Sequence, residues 1–311
     1  MGDVVLSTAA MRAIRQCPDS ASVTLLLGTS SLDVAEMADA ADHYIAFDRK
    51  LFKQRKYFRG AVETLRLLHA LRRERFDLVI DFFSRSETNL LGFLAGIPKR
   101  LYAARNTRSI DSLSNFKPAA PPFDPERHIA DRCFDLAECL VGNVPREPFI
   151  FRPKVEDVEA MRKRFPSLDG AVGVFPGAGH PSRRWSLEKY GELAKRISKA
   201  GIVPALFLGP EESDAVDRAE NYFPASTLKL YNLGQRELVP AMRLLAAMVG
   251  NDTGTTHLAA QTGIKVVLVV DQNAELIYVP LSNHLYSVKG RRLADVDVSD
   301  VFEALCAALS E

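Results

Sequence analysis

The sequence predicts an α/β fold of two doubly wound domains, each a parallel sheet flanked by helices. Three observations predict it. Short apolar runs alternate with segments of helical period almost from end to end, the pattern of repeated βαβ units. At 311 residues the chain is long enough for two domains. A stretch with three prolines and one glycine in twelve residues, Gly142-Asn-Val-Pro-Arg-Glu-Pro-Phe-Ile-Phe-Arg-Pro153, divides the alternation near its middle and reads as a linker.

In the first domain, residues 1–148, strands are expected at Ser22–Leu27, Tyr44–Phe47, Asp77–Phe82 and Arg100–Ala103, where apolar runs are short. Helices are expected at Thr8–Gln16, Ser31–Ala38, Gly60–Glu74 and Ser86–Ala95. His128–Val141 follows as a further helix after a proline-rich connection, residues 117–125. In the second domain, residues 149–311, a helix at Val155–Phe165 precedes strands at Ala171–Phe175, Val203–Leu208, Lys229–Asn232, Met248–Gly250 and Lys265–Val270. Helices at Leu187–Ala200, Glu212–Tyr222, Arg236–Ala247 and Thr255–Gly263 alternate with them. Ser299–Ser310 is a last helix with Ser299 or Asp300 at its cap, free to pack back on the first domain. No repeat of solenoid period is present. Gly2-Asp3 reads as a turn leading into helical sequence with only Met1 ahead of it. The first domain is therefore expected to lack the strand, usually central, that opens a doubly wound layer.

Composition narrows the class. Apolar residues make up 47% and charged residues 25%, which excludes disordered, collagen-like and coiled-coil chains. Forty basic against 39 acidic residues give a net charge of +1, so no global field draws nucleic acid. The four cysteines, Cys17, Cys133, Cys139 and Cys306, form no C-x-x-C pair. Neither a zinc site nor a disulfide framework is expected. No run reaches the ~20 apolar residues that span a bilayer, and the N-terminus has no basic region ahead of its apolar run. A cytoplasmic location is expected.

Several stretches could carry chemistry. In Gly250-Asn-Asp-Thr-Gly-Thr-Thr-His-Leu-Ala-Ala260 an apolar strand runs through Asn251, Asp252, Thr253 and Gly254 into a helix. Free backbone N–H groups and hydroxyls there would suit a pyrophosphate, and Gly254 would allow close approach; His257 falls on the first turn. Asn251 or Asp252 could equally be a plain helix cap. Phe175-Pro-Gly-Ala-Gly-His-Pro-Ser-Arg-Arg-Trp185 opens at a strand's C-terminal end, where such sheets bind ligands. Gly177 permits a tight turn, Arg183 and Arg184 suit phosphate, and Trp185 anchors the loop; a solvated basic turn before a helix capped by Ser186 is the plainer reading. Glu212, in Gly209-Pro-Glu-Glu212, could take a ribose or only complement a helix dipole. Asp3 could be a general base or an N-cap. Residues Arg49–Arg75 hold ten basic and two acidic residues. That run is a solvated face, a surface for an anionic acceptor through Lys53, Arg55, Lys56 and Arg59, or a surface for an acidic membrane. Asp81, Ser84–Glu87 and Gly28–Ser31 also end strands. No G-x-G-x-x-G follows a strand, which argues against a dinucleotide oxidoreductase.

In order and spacing these pieces resemble glycosyltransferase family 9, the ADP-heptose:lipopolysaccharide heptosyltransferases. Gly2-Asp-Val-Val-Leu-Ser-Thr-Ala-Ala-Met-Arg-Ala13 is similar to the family's G-D-V-V-L-T-T-P-A-L-R-A, and Phe76-Asp-Leu-Val-Ile-Asp81 to its Y-D-L-V-I-D. Pro176-Gly-Ala178 with Arg183-Arg-Trp185 resembles P-G-A and K-R-W. Gly209-Pro-Glu-Glu212 resembles G-G-P-x-E. Asn251-Asp-Thr-Gly254 with His257-Leu-Ala-Ala260 resembles D-T-G-x-x-H-L-A-A, the most specific of the set. The resemblance implies the GT-B architecture, two Rossmann-like domains facing across a cleft, acceptor-side first and nucleotide-sugar-binding second. It implies inverting transfer of a heptose from ADP-L-glycero-D-manno-heptose to a lipopolysaccharide inner-core acceptor, with no metal and no cofactor. Asp3 would be the base and Arg183 the phosphate-binding cation; Gly177, Arg184, Glu212, Asp252, Thr253, Gly254 and His257 would bind the donor. Contact with the inner membrane surface would follow from a lipid-linked acceptor. The chain departs from the family pattern in Arg183, which replaces a lysine, and in Asp271, which stands where a glycine is usual. Another nucleotide-sugar donor or acceptor, or a non-catalytic binding protein of this fold, is the alternative.

Overall fold

The computed structural model describes residues 1–17, 22–48, 57–273 and 276–311. The chain groups into two compact units, one of Met1–Leu6 with Pro148–Glu311 and one of Ser7–Glu147. The break after Glu147 falls inside the proline-rich linker. The opening residues, by contrast, group with the C-terminal unit rather than with the residues that follow them.

The larger unit is a six-stranded parallel sheet. Its strands are β5 (Val172–Phe175), β6 (Pro204–Leu208), β7 (Leu228–Tyr231), β8 (Ala247–Asn251), β9 (Lys265–Asp271) and β10 (Leu285–Gly290). They lie in the order β10-β9-β8-β5-β6-β7 with every neighbouring pair parallel. The order reverses between β5 and β8, the switch point where open α/β sheets bind ligands beyond the strand ends. Strands β5, β6 and β8 are buried along their whole length, as continuous apolar runs in a covered parallel sheet must be. The helices are α6 (Val155–Arg164), α7 (Leu187–Lys199), α8 (Ser213–Tyr222), α9 (Gln235–Arg243), α10 (Gly254–Ala260) and α11 (Val298–Ser310). Helix α7 buries Tyr190, Leu193 and Ile197 at spacings of three and four against Val172, Val174, Leu206 and Trp185, the stripe that an amphipathic helix turns to its core.

The smaller unit carries two parallel pairs, β1 (Thr24–Gly28) with β2 (His43–Phe47), and β3 (Leu78–Asp81) with β4 (Lys99–Tyr102). Among the described residues β1 and β3 each pair along one edge only. Helices α1 (Gly2–Arg15) and α5 (Ile129–Val141) pack Ala10, Ile14, Cys133, Phe134 and Ala137 around Ile80 and Val23. Helices α3 (Tyr57–Glu74) and α4 (Ser86–Leu94) pack Leu67, Leu68, Leu71 and Leu91 around Leu26, Ile45 and Val79. Helix α2 (Leu32–Met37) follows β1.

Four expectations are corrected. Gly2-Asp3 is not a turn: α1 begins at Gly2 and Val5 N–H already donates to the Met1 carbonyl at 3.1 Å. The helix starts six residues ahead of the expected Thr8, and complete burial of Val5 and Thr8 decides the local structure. Strand β10 had no counterpart in the sequence reading, because at the sheet edge its residues are only half-buried or exposed. Helix α9 ends at Arg243 rather than Ala247; it carries Pro240 within it, and the chain turns at Leu244 into β8. The last helix packs on its own unit, with Val301, Leu305 and Ala308 in the core shared by β5, β6, β8 and β9.

Candidate active site

The site grows from the two strand ends at the switch point. Strand β8 ends in Asn251, whose amide is fully buried. It donates to the carbonyls of Pro176 at 3.0 Å and Gly177 at 3.3 Å. Its oxygen accepts from Trp185 N–H at 3.0 Å and the Tyr190 hydroxyl at 3.1 Å. One side chain thus staples both ends of the loop after β5 to the end of β8. Sequence reading offered Asn251 as part of a pyrophosphate cradle or as a helix cap; the cap of α10 is Thr253, whose hydroxyl accepts from Thr256 N–H. The available signal was an amide closing a buried strand two residues ahead of a better cap.

Trp185 fixes the far end of the loop. It is 1% exposed, donates from Nε1 to the Val296 carbonyl at 3.1 Å and stands edge-on to Tyr190. Ser186 then caps α7. Between these anchors the loop exposes Arg183, whose Nη1 lies 4.0 Å from Asp252 Oδ2. Arg184 turns inward and donates to the Ala178 carbonyl at 3.0 Å.

Asp252 is shared. Its Oδ1 lies 3.2 Å from His257 Nε2, and the His257 ring is nearly buried with Nδ1 lacking a hydrogen-bond partner among the described residues. Gly254 permits a close approach, but of the chain's own backbone: a Cβ there would sit 2.8 Å from Gly2 N and 2.9 Å from Met1 Cβ. A Cβ on Gly2 would meet the His257 ring at 3.3 Å. The start of α1, which carries Asp3 in its first turn, is therefore packed directly on the start of α10.

Glu212 does more than complement a dipole. Its Oε2 accepts from Gly209 N–H at 3.0 Å, and a Cβ on Gly177 would fall 2.6 Å from its Oε1. The carboxylate lies against the loop after β5 while rooted after β6. A cavity of about 190 Å³ opens there, lined by Arg184, Trp185, Leu208, Glu212, Glu188 and Arg218 among others. Glu188 is held below the usual carboxylate range by its own backbone N–H first, with Tyr222, Ser186 and Arg218 assisting against burial.

The remaining candidates divide. Asp81 is a turn anchor: its carboxylate accepts from Phe83 N–H, Ser84 N–H, the Thr88 hydroxyl and the Asn89 amide. Burial pushes its pKa up while those donors oppose the rise. Asp271 closes its own turn by accepting from Asn273 N–H at 2.8 Å. Lys53, Arg55 and Lys56 lie outside the described residues, and Arg59 falls in the first turn of α3, in the smaller unit.

The comparisons with known proteins bear on this arrangement. The sequence profile of glycosyltransferase family 9 (heptosyltransferase) matches residues 64–292. The chain belongs to that family. As a family 9 glycosyltransferase it is 27% identical over 237 residues to lipopolysaccharide heptosyltransferase 2 of Escherichia coli K12, covering 71% of this chain and 67% of that protein. Its fold is that of GT-B heptosyltransferases. E. coli ADP-heptose LPS heptosyltransferase II superposes with a TM-score of 0.79 at 20% identity, covering 99% of this chain and 96% of that one. E. coli heptosyltransferase WaaC with ADP gives 0.80 at 16% identity, covering 99% and 96%. A family 9 glycosyl transferase from Veillonella parvula gives 0.83 at 18%, covering 99% and 94%.

Proposed function

We propose that this family 9 enzyme transfers a heptose from ADP-L-glycero-D-manno-heptose to a lipopolysaccharide inner-core acceptor on the cytoplasmic side, inverting the anomeric carbon. The observation that carries the reading is the contact between the start of α1 and the start of α10. It gathers Asp3 into the same compact unit as Asp252, His257 and Arg183. In this reading the Asp3 carboxylate takes the proton of the acceptor hydroxyl. The freed oxygen forms its bond to the heptose C1 as the C1–O bond to phosphate breaks, and ADP leaves with the electron pair. Positive charge near the departing pyrophosphate lowers the barrier; Arg183, exposed and loosely held by Asp252, supplies it, with Arg184 at the base of the same loop. Glu212 accepts hydrogen bonds from the ribose, and Thr253, Gly254 and His257 contact the heptose and its phosphate. Gly177 has no side chain to displace Glu212. The C-terminal unit is then the nucleotide-sugar side and the N-terminal one the acceptor side, with Lys53, Arg55, Lys56 and Arg59 toward an anionic acceptor.

The test is transfer by the intact chain, with Asp3→Asn and Arg183→Ala beside it. We expect Asp3→Asn to bind ADP with unchanged affinity and to lose at least about 10²-fold in kcat, the scale of a general base. Arg183→Ala should weaken ADP binding as well. Full turnover by Asp3→Asn overturns the base assignment; tighter binding of UDP than ADP overturns the donor.

A further inference from the structure

We propose that Asp271 accepts hydrogen bonds from the hydroxyl groups of the transferred sugar and is a specificity-determining residue of the donor site. The inference rests on the donor reading above and deepens it. Strand register places the residue. Strand β8 ends at Asn251, whose partner on β9 is Val269. Strand β9 runs on to Asp271, which is still paired with Gly290 of β10. Asp271 thus stands two residues past the end of β8, level with Thr253. That is roughly 6–7 Å further along and one strand spacing of ~4.8 Å to the side. Side chains alternate along a strand, and Val267 and Val269 are buried on the face that carries Trp185 and Val296. Asp271 is next in that column and is only half-buried. It is a carboxylate on a shoulder beside the donor site, on the face where Trp185 anchors the Arg183–Arg184 loop.

Its bonding leaves it open to a ligand. Oδ1 accepts from Asn273 N–H at 2.8 Å, while Oδ2 has no partner among the described residues. Lys289 and Arg291 flank its strand partner Gly290, so alternation sends both to the opposite face, and neither pairs with it. Arg292 is engaged by Asp295 at 2.9 Å. The surroundings are fixed: Gln272 N–H donates to the Gly290 carbonyl at 2.7 Å, and the Val296 carbonyl accepts from both Trp185 Nε1 and Lys189 Nζ.

Charge decides what it binds. The site residues follow the order of the strands: Glu212 after β6, Arg183 and Arg184 after β5, Asp252 and Thr253 after β8, Asp271 at the end of β9. A pyrophosphate is drawn to the guanidiniums and repelled by a carboxylate without a cation, so it lies over β5 and β8. With the ribose at Glu212 on one side, the sugar falls on the other, over β8 and β9. A neutral sugar presents hydroxyl donors there, and an ionised acceptor binds them more strongly than a neutral one. The family pattern has glycine at this position, so the contact is this chain's own.

The experiment is calorimetric titration of the intact protein with ADP and with ADP-L-glycero-D-manno-heptose, for the parent, Asp271→Ala and Asp271→Asn. Both variants should lose at least about tenfold in affinity for the sugar nucleotide, the scale of a hydrogen bond to a charged group, with ADP affinity unchanged. Asp271→Asn keeps an acceptor for Asn273 N–H, so it preserves the turn and removes only the charge and the second oxygen. A loss in Asp271→Ala alone assigns the residue to the turn and overturns the proposal. An equal loss for ADP does the same. Parental affinity for the sugar nucleotide in both variants overturns this proposal and leaves the donor reading standing. A parent that does not bind ADP-L-glycero-D-manno-heptose overturns the two together.

Discussion

Asn251 has no water to fall back on. Its side chain joins Pro176, Gly177, Trp185 and Tyr190, and all of its polar capacity is used inside the protein. Replacing it with leucine strands Trp185 N–H, the Tyr190 hydroxyl and the Pro176 carbonyl, each costing about 1–3 kcal/mol when buried without a partner. We expect Asn251→Leu to lose at least about 2 kcal/mol in urea denaturation and to weaken ADP binding, because the Arg183–Arg184 loop loses its tether. A variant with unchanged ADP affinity would show that the loop is held by Trp185 alone. Residues of this kind are poorly legible in sequence. That Asp252, Glu212 and Arg183 stand just beyond strand ends could be read from the apolar runs that precede them. A buried amide's partners come from segments 61 to 75 residues away, so spacing does not encode them. Gly254 was legible as a site of close approach, but not what would approach it, since its neighbour is the opposite end of the chain.

Helices and strands were legible wherever burial is one-sided or complete. Helix α7 and the buried strands β5, β6 and β8 are of that kind, and sequence placed them within a residue or two. The exceptions, the start of α1, the end of α9 and β10, are a helix start held by burial, a helix cut short by the turn at Leu244 and a partly exposed edge strand. Helix packing holds its own hidden constraint. Gly191 sits on α7 where a Cβ would fall 2.7 Å from both the Tyr222 backbone oxygen and its Cβ. Gly191→Ala improves helix propensity by roughly 1 kcal/mol, yet should destabilise by about 1–3 kcal/mol, because α8 must shift; thermal denaturation reads the sign. Helix α5 carries an electrostatic counterpart. Asp135 receives Arg127 at 2.6 and 2.7 Å and Arg146 at 2.7 Å. Burial pushes its pKa up, but the two guanidiniums outweigh burial and hold it below the ordinary 3.8. A depressed carboxylate stabilises above its unfolded value and loses that stability as pH falls through the folded one. Asp135→Asn should therefore cost about 1–3 kcal/mol at pH 7 and almost nothing once the parent aspartate is protonated. An equal penalty at pH 7 and pH 2 would assign the effect to packing.

At the scale of the molecule, two compact units, between which the chain crosses after Leu6 in α1 and after Glu147 in the proline-rich segment, predict unfolding that is not two-state. Calorimetry should resolve two transitions. ADP at 100 times its dissociation constant should raise the one belonging to the unit with Glu212 and Asp252 by about 2.7 kcal/mol. A shift of both together would mean that the units unfold as one. The two-layer alternation was plain in the sequence; the grouping of Met1–Leu6 with the C-terminal unit was not, since it depends on contacts made across nearly the full chain length. The smaller unit's two separate strand pairs carry a consequence for handling the protein. Strands β1 and β3 each leave a row of amides and carbonyls unclaimed by the strands described, and most of their residues are only half-buried. Such rows template the addition of foreign backbone. Precipitates formed on concentrating or warming the protein should thus be ordered and thioflavin-positive, with a protease-resistant kernel containing Thr24–Gly28 and Leu78–Asp81. Solution conditions that keep dilute chains apart would preserve activity longer than conditions that merely raise the melting temperature.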